Sequence, residues 1–275
     1  MPRDTSTLLT EDLHVTAAGH RLRARRLRPS TEHASDAPTL VFLHEGLGSI
    51  AQWKGFPAVL VAATGLPGLI YERWGFGGSE PLALPRPRDY LTEEAEVALP
   101  ELLQECGIER PLLIGHSDGG SIALLYAAAF PDRPVACITE AAHVFVEKVT
   151  LAGIREADEA WRTTDLPARL ARYHGDQAET VFRGWTETWL RNDFRDWRMT
   201  ERLGAITCPL LVIQGADDQY GTRAQVEAIV DGSAGPATPL IVPDCGHAPH
   251  AEQQVVVLEA MARFIEETAQ GVGVR

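Results

Sequence analysis

A series of short apolar runs constrains the fold of this chain more than any other feature. Six runs of strand length recur, separated by segments with helical periodicity: 39–44, 68–72, 111–116, 134–140, 209–215 and 238–244. Runs without polar alternation are typical of strands that are buried on both faces. They therefore predict an α/β fold, in which a mostly parallel twisted sheet carries helices on both faces.

Two further strands are expected near the N-terminus. Residues 12–27 alternate apolar and polar side chains around Ala18-Gly19, a pattern typical of an antiparallel hairpin at a sheet edge. A loop, 28–38, then leads into the first buried run. The complete sheet is therefore expected to contain about eight strands.

The composition favours a small-molecule substrate. With 275 residues, 45% of them hydrophobic, the chain can bury a large core. A formal net charge of -13 disfavours binding to nucleic acid or to anionic membrane surfaces. No apolar run reaches the roughly 18 residues of a membrane span, and residues 1–15 contain no signal-peptide core. We therefore expect a cytoplasmic protein, and the sequence does not indicate its oligomeric state.

The cysteines indicate a reducing compartment. Cys106, Cys137, Cys208 and Cys245 are far apart and form no CxxC pair. Such spacing favours free thiols over a disulfide or zinc framework. We expect neither a metal site nor a cofactor.

A change in composition divides the chain into three parts. Residues 145–205 are rich in tryptophan and charge and contain no strand-like run, so they predict a helical cap or lid. This insertion separates the first part of the core, 1–144, from its second part, 206–275. Most of its tryptophans are expected to pack helices together, and Trp185 and Trp189 are candidates to cover a pocket.

One helix is expected immediately before the third buried run. Thr92 is a plausible N-cap, Gly107 ends the periodic segment, and Val97 belongs to its apolar stripe, which Pro100 interrupts.

A polar segment within buried chain carries the candidate chemistry. Residues 115–119 read Gly-His-Ser-Asp-Gly and fit GxSxG, in which a serine occupies a tight turn between a strand and a helix. Ser117 needs a base and a third group that orients the base. Asp217 and Asp218 follow a later strand, and His247 follows the last. Because parallel strands end at one sheet edge, these side chains are expected to meet there.

These motifs resemble those of the α/β-hydrolase family, in particular its cap-bearing esterases, lactonases and carbon-carbon hydrolases. The matching segments occur in the family's order over nearly the whole chain: FLHEGLGS, YERWGFGGS, GHSDGG, IQGADDQYG and CGHAPH. The resemblance implies the α/β-hydrolase fold, with Ser117 as nucleophile, His247 as base and Asp218 as acid. Asp217 is then a neighbour that shapes the turn, and Glu140 is an alternative acid.

The resemblance also implies an oxyanion hole made of two backbone amides. Asp118 provides one, and Gly46 the other, with Leu47 as the alternative donor. Glu45 occupies a position where the family usually has glycine. We expect His44 to be a structural hydrogen-bonding residue under this loop rather than a base. In the family, the residues that match Arg73 and Ser79 are usually structural.

The side chains around this site are candidates for the substrate pocket. They are Glu45, Leu47, His116, His143, Trp185 and Trp189. A carboxylate that faced the oxyanion would oppose catalysis. We therefore predict that the Asp118 side chain turns away from it and pairs with a polar group, with His116 and His143 as candidates.

A serine nucleophile indicates acyl transfer and predicts a carboxylic ester hydrolase. Carbon-carbon hydrolases of the family typically have Asn before the nucleophile and Trp after the histidine, whereas this chain has His116 and Ala248. A basic patch that could bind the phosphates of coenzyme A would favour a thioesterase. The only compact cluster of basic residues in the sequence lies at 21–28, on the predicted edge hairpin. A lactonase, a carbon-carbon hydrolase, a thioesterase and a non-catalytic receptor on the same scaffold remain alternatives.

Overall fold

The computed structural model describes residues 8–29 and 37–271. Eight strands form one sheet: β1 (Leu8–Ala17), β2 (His20–Pro29), β3 (Thr39–Leu43), β4 (Gly68–Tyr71), β5 (Pro111–His116), β6 (Ala136–Glu140), β7 (Leu210–Gly215) and β8 (Ala237–Val242). Residues 30–36 of the predicted loop 28–38 lie outside the described ranges.

The strand order is β1-β2-β4-β3-β5-β6-β7-β8. Strands β3 to β8 are parallel, and β2 pairs with β1 and β4 in antiparallel orientation. Ala18 and Gly19 both have positive φ, as a two-residue hairpin turn requires. The predicted edge hairpin and the mostly parallel α/β sheet are therefore confirmed.

Ten α-helices accompany the strands within the described ranges: α1 (Phe56–Thr64), α2 (Tyr90–Glu93), α3 (Leu99–Glu105), α4 (Asp118–Ala129), α5 (Lys148–Thr163), α6 (Leu166–His174), α7 (Ala178–Leu190), α8 (Arg223–Gly232), α9 (Pro249–Glu252) and α10 (Gln254–Gly271). Short 3₁₀ segments occupy 51–53, 175–177, 192–194 and 200–205.

Two hydrophobic cores cover the two faces of the sheet. Residues of α1 and α10, such as Leu60 and Met261, pack on one face. Residues of α3, α4 and α8, such as Leu102, Ile122 and Ile229, pack on the other. Strands β3 to β7 are buried because both of their faces meet helices. The last apolar run, 238–244, was expected to be buried in the same way, but β8 lies at the edge of the sheet and is only partly buried.

The helix before β5 departs from the prediction. It begins at Tyr90 rather than after Thr92, and a π-helical turn, Glu94–Ala98, joins α2 to α3. A π turn is wider than an α turn and changes the direction of the side chains that follow. Val97 is consequently 42% exposed and does not belong to a buried stripe.

Helices α5, α6 and α7 lie between β6 and β7, where a helical insertion was predicted. One tryptophan packs two of these helices together, since Trp161 on α5 stacks on Phe182 on α7 at 4.2 Å between ring centroids. Trp197, which follows α7 and lies outside the helices, stacks on Phe194 at 5.7 Å. Within 145–205, the backbone makes one isolated β-bridge, between Phe145 and Arg198.

Candidate active site

Ser117 occupies a strained turn between β5 and α4. Its φ of 52° lies in the left-handed region, which a residue with a side chain rarely adopts. Two glycines permit the tight crossing of strand and helix. A Cβ on Gly115 would lie 2.6 Å from the Gly120 nitrogen, and a Cβ on Gly119 would overlap the Leu43 carbonyl. The GxSxG segment therefore forms the sharp turn that its glycines predict.

The three predicted catalytic side chains are in direct contact. Ser117 Oγ lies 2.9 Å from His247 Nε2. His247 Nδ1 lies 2.9 Å from each carboxylate oxygen of Asp218. In this arrangement Nδ1 donates to the carboxylate, so Nε2 is free to accept the hydroxyl proton of Ser117.

Two further groups hold the Asp218 carboxylate. The Tyr220 amide donates to Oδ1 at 2.8 Å, and Gln214 Nε2 donates to Oδ2 at 2.6 Å. Burial raises the pKa of Asp218, but the hydrogen bond and charge of His247 outweigh it, so the pKa lies below its usual range. Sequence reasoning missed Gln214, although a polar residue near the end of an apolar strand is a visible signal.

The two alternative acids lie elsewhere. The Glu140 carboxylate accepts hydrogen bonds from the backbone and the Nδ1 atom of His250, at 2.8 and 3.1 Å. Asp217 is exposed, and its amide donates to the Cys245 carbonyl. Asp218 is therefore the carboxylate that contacts His247.

The loop after β3 presents one unengaged amide beside this site. The Leu47 amide donates to Glu45 Oε2 at 2.8 Å. The Gly46 amide has no hydrogen-bond partner among the described residues. Trp185 covers this loop so closely that a Cβ on Gly46 would lie 2.7 Å from the indole Cδ1. The Glu45 carboxylate thus engages the alternative donor, Leu47, and leaves Gly46 available.

Asp118 turns its carboxylate into a buried polar cluster. Oδ2 accepts from Tyr90 Oη at 2.8 Å and lies 3.4 Å from both terminal nitrogens of Arg73. Trp189 Nε1 donates to Tyr90 Oη at 2.9 Å. The proposed pairing with His116 or His143 is therefore wrong. Arg73 carries a full charge and is a stronger partner for a buried carboxylate than a neutral imidazole.

Arg73 also reaches the loop after β3. Its Nη2 donates to the Glu45 carbonyl at 2.9 Å, and its side chain is fully buried. His44 supports the same loop, because Nδ1 donates to the Glu45 carbonyl and Nε2 accepts from the Arg73 amide. One guanidinium thus connects the residue before Gly46 to the side chain of Asp118.

The six predicted pocket residues divide between two cavities. His143, Trp185 and Trp189 surround a space of about 10 Å³ at Ser117, together with Thr150, Ile154, Tyr220 and His247. Glu45, Leu47 and His116 line a neighbouring cleft of about 360 Å³. Tyr220, which sequence reasoning missed, places its ring edge-on to His247 at 4.8 Å between centroids. The first cavity accommodates about one water molecule.

Four of the buried histidines near the site have lowered pKa values, which favour the neutral imidazole. Burial lowers the pKa of His44 and His116 far below its usual value and also lowers the pKa of His143 and His174. His174, on α6, accepts from the Gly77 amide and donates to the Leu47 carbonyl. It thereby connects the helical insertion to the loop that contains Gly46.

Acid should therefore destabilise the fold at a pH where carboxylates are still ionised. Below about pH 6.5 the unfolded chain binds more protons on these histidines than the folded chain does, so the free energy of unfolding falls as pH decreases. At pH 5.5, a histidine that stays neutral in the folded chain lowers the free energy of unfolding by about 1.4 kcal/mol. Urea unfolding at pH 7.5 and 5.5 measures the difference.

A histidine variant tests this assignment. His174→Gln should reduce the pH dependence of the free energy of unfolding, by at most the contribution of one histidine that stays neutral in the folded chain. His14→Gln, at an exposed position on β1, should leave it unchanged. Equal free energies of unfolding at the two pH values would contradict the prediction.

No group of three or more His, Cys, Asp or Glu side chains in residues 8–29 and 37–271 is arranged to hold a metal ion. No helix in the same ranges has the length and apolar character needed to cross a membrane.

Several known proteins are similar to this chain in sequence or in fold. The chain is 26% identical over 252 residues to the 2-succinyl-6-hydroxy-2,4-cyclohexadiene-1-carboxylate synthase of Enterobacter sp. (strain 638), covering 83% of this chain and 92% of that relative. Among solved structures, it is similar to the enol-lactonase of Burkholderia xenovorans LB400, with a TM-score of 0.69, 20% identity and coverage of 92% of this chain and 100% of the other. It is also similar to a carboxylesterase of Bacillus subtilis, with a TM-score of 0.66, 18% identity and coverage of 95% of this chain and 93% of the other.

The family itself is shown by a match to a family model. The model of the alpha/beta hydrolase family matches residues 40–260, which include the strand-to-helix turn at Ser117 and the loops that hold Asp218 and His247. The chain therefore belongs to the alpha/beta hydrolase family.

Proposed function

We propose that this protein is a serine hydrolase that cleaves a small to medium carboxylic ester through an acyl-Ser117 intermediate. The continuous contact from Ser117 through His247 to Asp218, with 2.9 Å at each step, carries the proposal. A serine hydroxyl is a weak nucleophile, and an oriented base is what makes it react. Membership of a hydrolase family supports the same reaction class.

The acylation step follows from the positions of the atoms. His247 Nε2 takes the proton of Ser117 as Oγ attacks the ester carbonyl, and the carbonyl oxygen becomes an oxyanion. The Asp118 and Gly46 amides are the proposed donors to it, each contributing roughly 3 kcal/mol. His247 then protonates the departing alcohol, and the carbon-oxygen bond breaks.

Deacylation uses the same groups with water as the nucleophile. Water gives a proton to His247 and attacks the acyl carbon, and the second tetrahedral intermediate collapses to the carboxylic acid as Ser117 regains its proton. Asp218 keeps the imidazole oriented in both steps and stabilises its charged form.

We further propose that residues 145–205 form a cap over this site, between core parts 1–144 and 206–275. Four residues of this segment, Thr150, Ile154, Trp185 and Trp189, line the cavity at Ser117. Substrate contact by the six pocket residues belongs to the same proposal.

The four cysteines are unpaired, which supports a reducing, cytoplasmic location.

Active-site labelling tests the proposed nucleophile. A fluorophosphonate probe should modify the folded protein at one site, with peptide mapping to Ser117, and Ser117→Ala should give only background labelling. Ser121→Ala is the matched control, because Ser121 lies one helical turn along α4 and is fully buried. An inert folded protein would instead favour a non-catalytic receptor.

A substrate panel tests the ester assignment. We expect turnover of short 4-nitrophenyl esters to exceed turnover of a coenzyme A thioester and of a ring-cleavage dienoate. A lactone belongs in the panel because it is an internal ester. Higher kcat/KM for the thioester or the dienoate, with Ser117 still labelled, would overturn the ester assignment but retain the nucleophile.

A further inference from the structure

A cleft beside the proposed catalytic residues offers the space that the site itself lacks. It measures about 360 Å³, whereas the cavity at Ser117 measures about 10 Å³. Its inner wall includes His116, the residue before the nucleophile, and Ala248, the residue after the histidine. The ring centroids of His116 and His247 are 5.2 Å apart. The cleft therefore lies directly beside the proposed catalytic residues.

The charges lining this cleft are opposite to the charge of the chain. Lys54, Arg169 and Arg172 form a cationic rim, and Glu45 is the one acidic residue in the lining. The whole chain carries a formal charge of -13. A concentration of positive charge in one cleft of an acidic protein attracts anions to that cleft.

Two cations of the rim are available for a ligand. Arg169 pairs with Asp165 at 3.1 Å. The side chains of Lys54 and Arg172 form no hydrogen bond or ion pair with any residue in the described ranges. Glu45 lies at the inner end of the cleft, where its carboxylate accepts from the Leu47 amide.

The wall near Lys54 contains further unused donors. Ser49 and Trp53 line the cleft and are 0% and 3% exposed. The hydroxyl of Ser49 and the indole nitrogen of Trp53 have no hydrogen-bond partner among the described residues. Buried donors normally have an acceptor in the protein, in water or in a ligand.

We propose that this cleft binds an anionic group of the substrate, with Lys54 and Arg172 as its cationic contacts. The inference rests on the proposed ester hydrolysis and extends it to a substrate class, the esters that carry a carboxylate or a phosphate. Arg172 lies on α6, so this contact would join the substrate to the proposed cap.

Paired esters test the charge preference. In the first pair the acyl group differs: mono-4-nitrophenyl glutarate carries a carboxylate there, and 4-nitrophenyl pentanoate is neutral. In the second pair the alcohol group differs: 4-acetoxybenzoate carries a carboxylate there, and phenyl acetate is neutral. The measured quantity is kcat/KM for the anionic ester divided by kcat/KM for its neutral partner. In at least one pair, we expect Lys54→Met and Arg172→Met each to lower this ratio by about fivefold. High salt should reduce the same ratio. Arg155→Met, at an exposed position on α5 outside the cleft, is the control.

A binding measurement separates this inference from the proposed reaction. Calorimetric titration with glutarate and with inorganic phosphate should show binding of at least one anion, weakened by Lys54→Met and Arg172→Met and retained in Arg155→Met. If no ester is hydrolysed, the titration alone decides the inference. Unchanged charge ratios in both pairs, or anion binding that is absent or unaffected by the two variants, would overturn it.

Discussion

Asp218→Asn is expected to lower kcat for ester hydrolysis by about 10⁴-fold, in line with the effect of removing the charge of a triad aspartate. Three donors converge on this carboxylate: His247 Nδ1, the Tyr220 amide and Gln214 Nε2. Asparagine has one acceptor oxygen and one amide nitrogen that only donates. Its nitrogen must therefore oppose one of the three donors.

A change of the His247 tautomer removes the clash between two donors most simply. If His247 moves its proton to Nε2, Nδ1 accepts from the asparagine amide, but Nε2 can no longer accept the Ser117 proton. The nucleophile then stays protonated. We expect the variant to fold, since the side-chain volume is unchanged, and to react slowly with the fluorophosphonate probe.

Steady-state kinetics on the best ester of the panel measure this effect. Asp217→Asn is the matched control, because Asp217 is adjacent and exposed, and its kcat should stay within about twofold of the original. A loss of less than tenfold in Asp218→Asn would place the catalytic acid elsewhere. Glu140→Gln would then be the next variant to measure.

The contact between Ser117, Asp218 and His247 was predictable because parallel strands impose it. Each residue follows a strand that ends at the same edge of the sheet, so three short motifs were enough to bring the side chains together. The eight strands were predictable from two patterns, because apolar runs without polar residues are typical of buried parallel strands and the alternation in 12–27 is typical of an edge hairpin.

The partners of these residues were not predictable in the same way. Arg73 and Tyr90 contact Asp118 across 45 and 28 positions of sequence, and no local pattern indicates which buried charge will meet which. The cationic rim was missed for the same reason, because Lys54 lies on a core loop and Arg172 on α6. The exposed Val97 was missed because a π turn breaks the helical period on which the prediction depended.

The second large effect concerns stability. Arg73→Met should lower the free energy of unfolding by about 3–5 kcal/mol, because it leaves the Asp118 carboxylate buried without its cation. The two side chains are 0% and 3% exposed, so water cannot replace the lost partner. The free energy of unfolding of a typical domain is about 5–15 kcal/mol in total. The variant should therefore unfold at a markedly lower urea concentration.

A double-mutant cycle separates the two tasks of Arg73. In Arg73→Met/Asp118→Leu the unpaired carboxylate is gone, and because buried ion pairs replaced by apolar groups are often neutral, stability should recover by at least about 2 kcal/mol. The hydrogen bond from Nη2 to the Glu45 carbonyl stays lost, however, so the loop that presents the Gly46 amide remains unsupported. Ester turnover should therefore stay at least tenfold below the original value after stability has recovered, with kcat affected more than KM. Recovery of both properties together would mean that Arg73 serves only to neutralise Asp118.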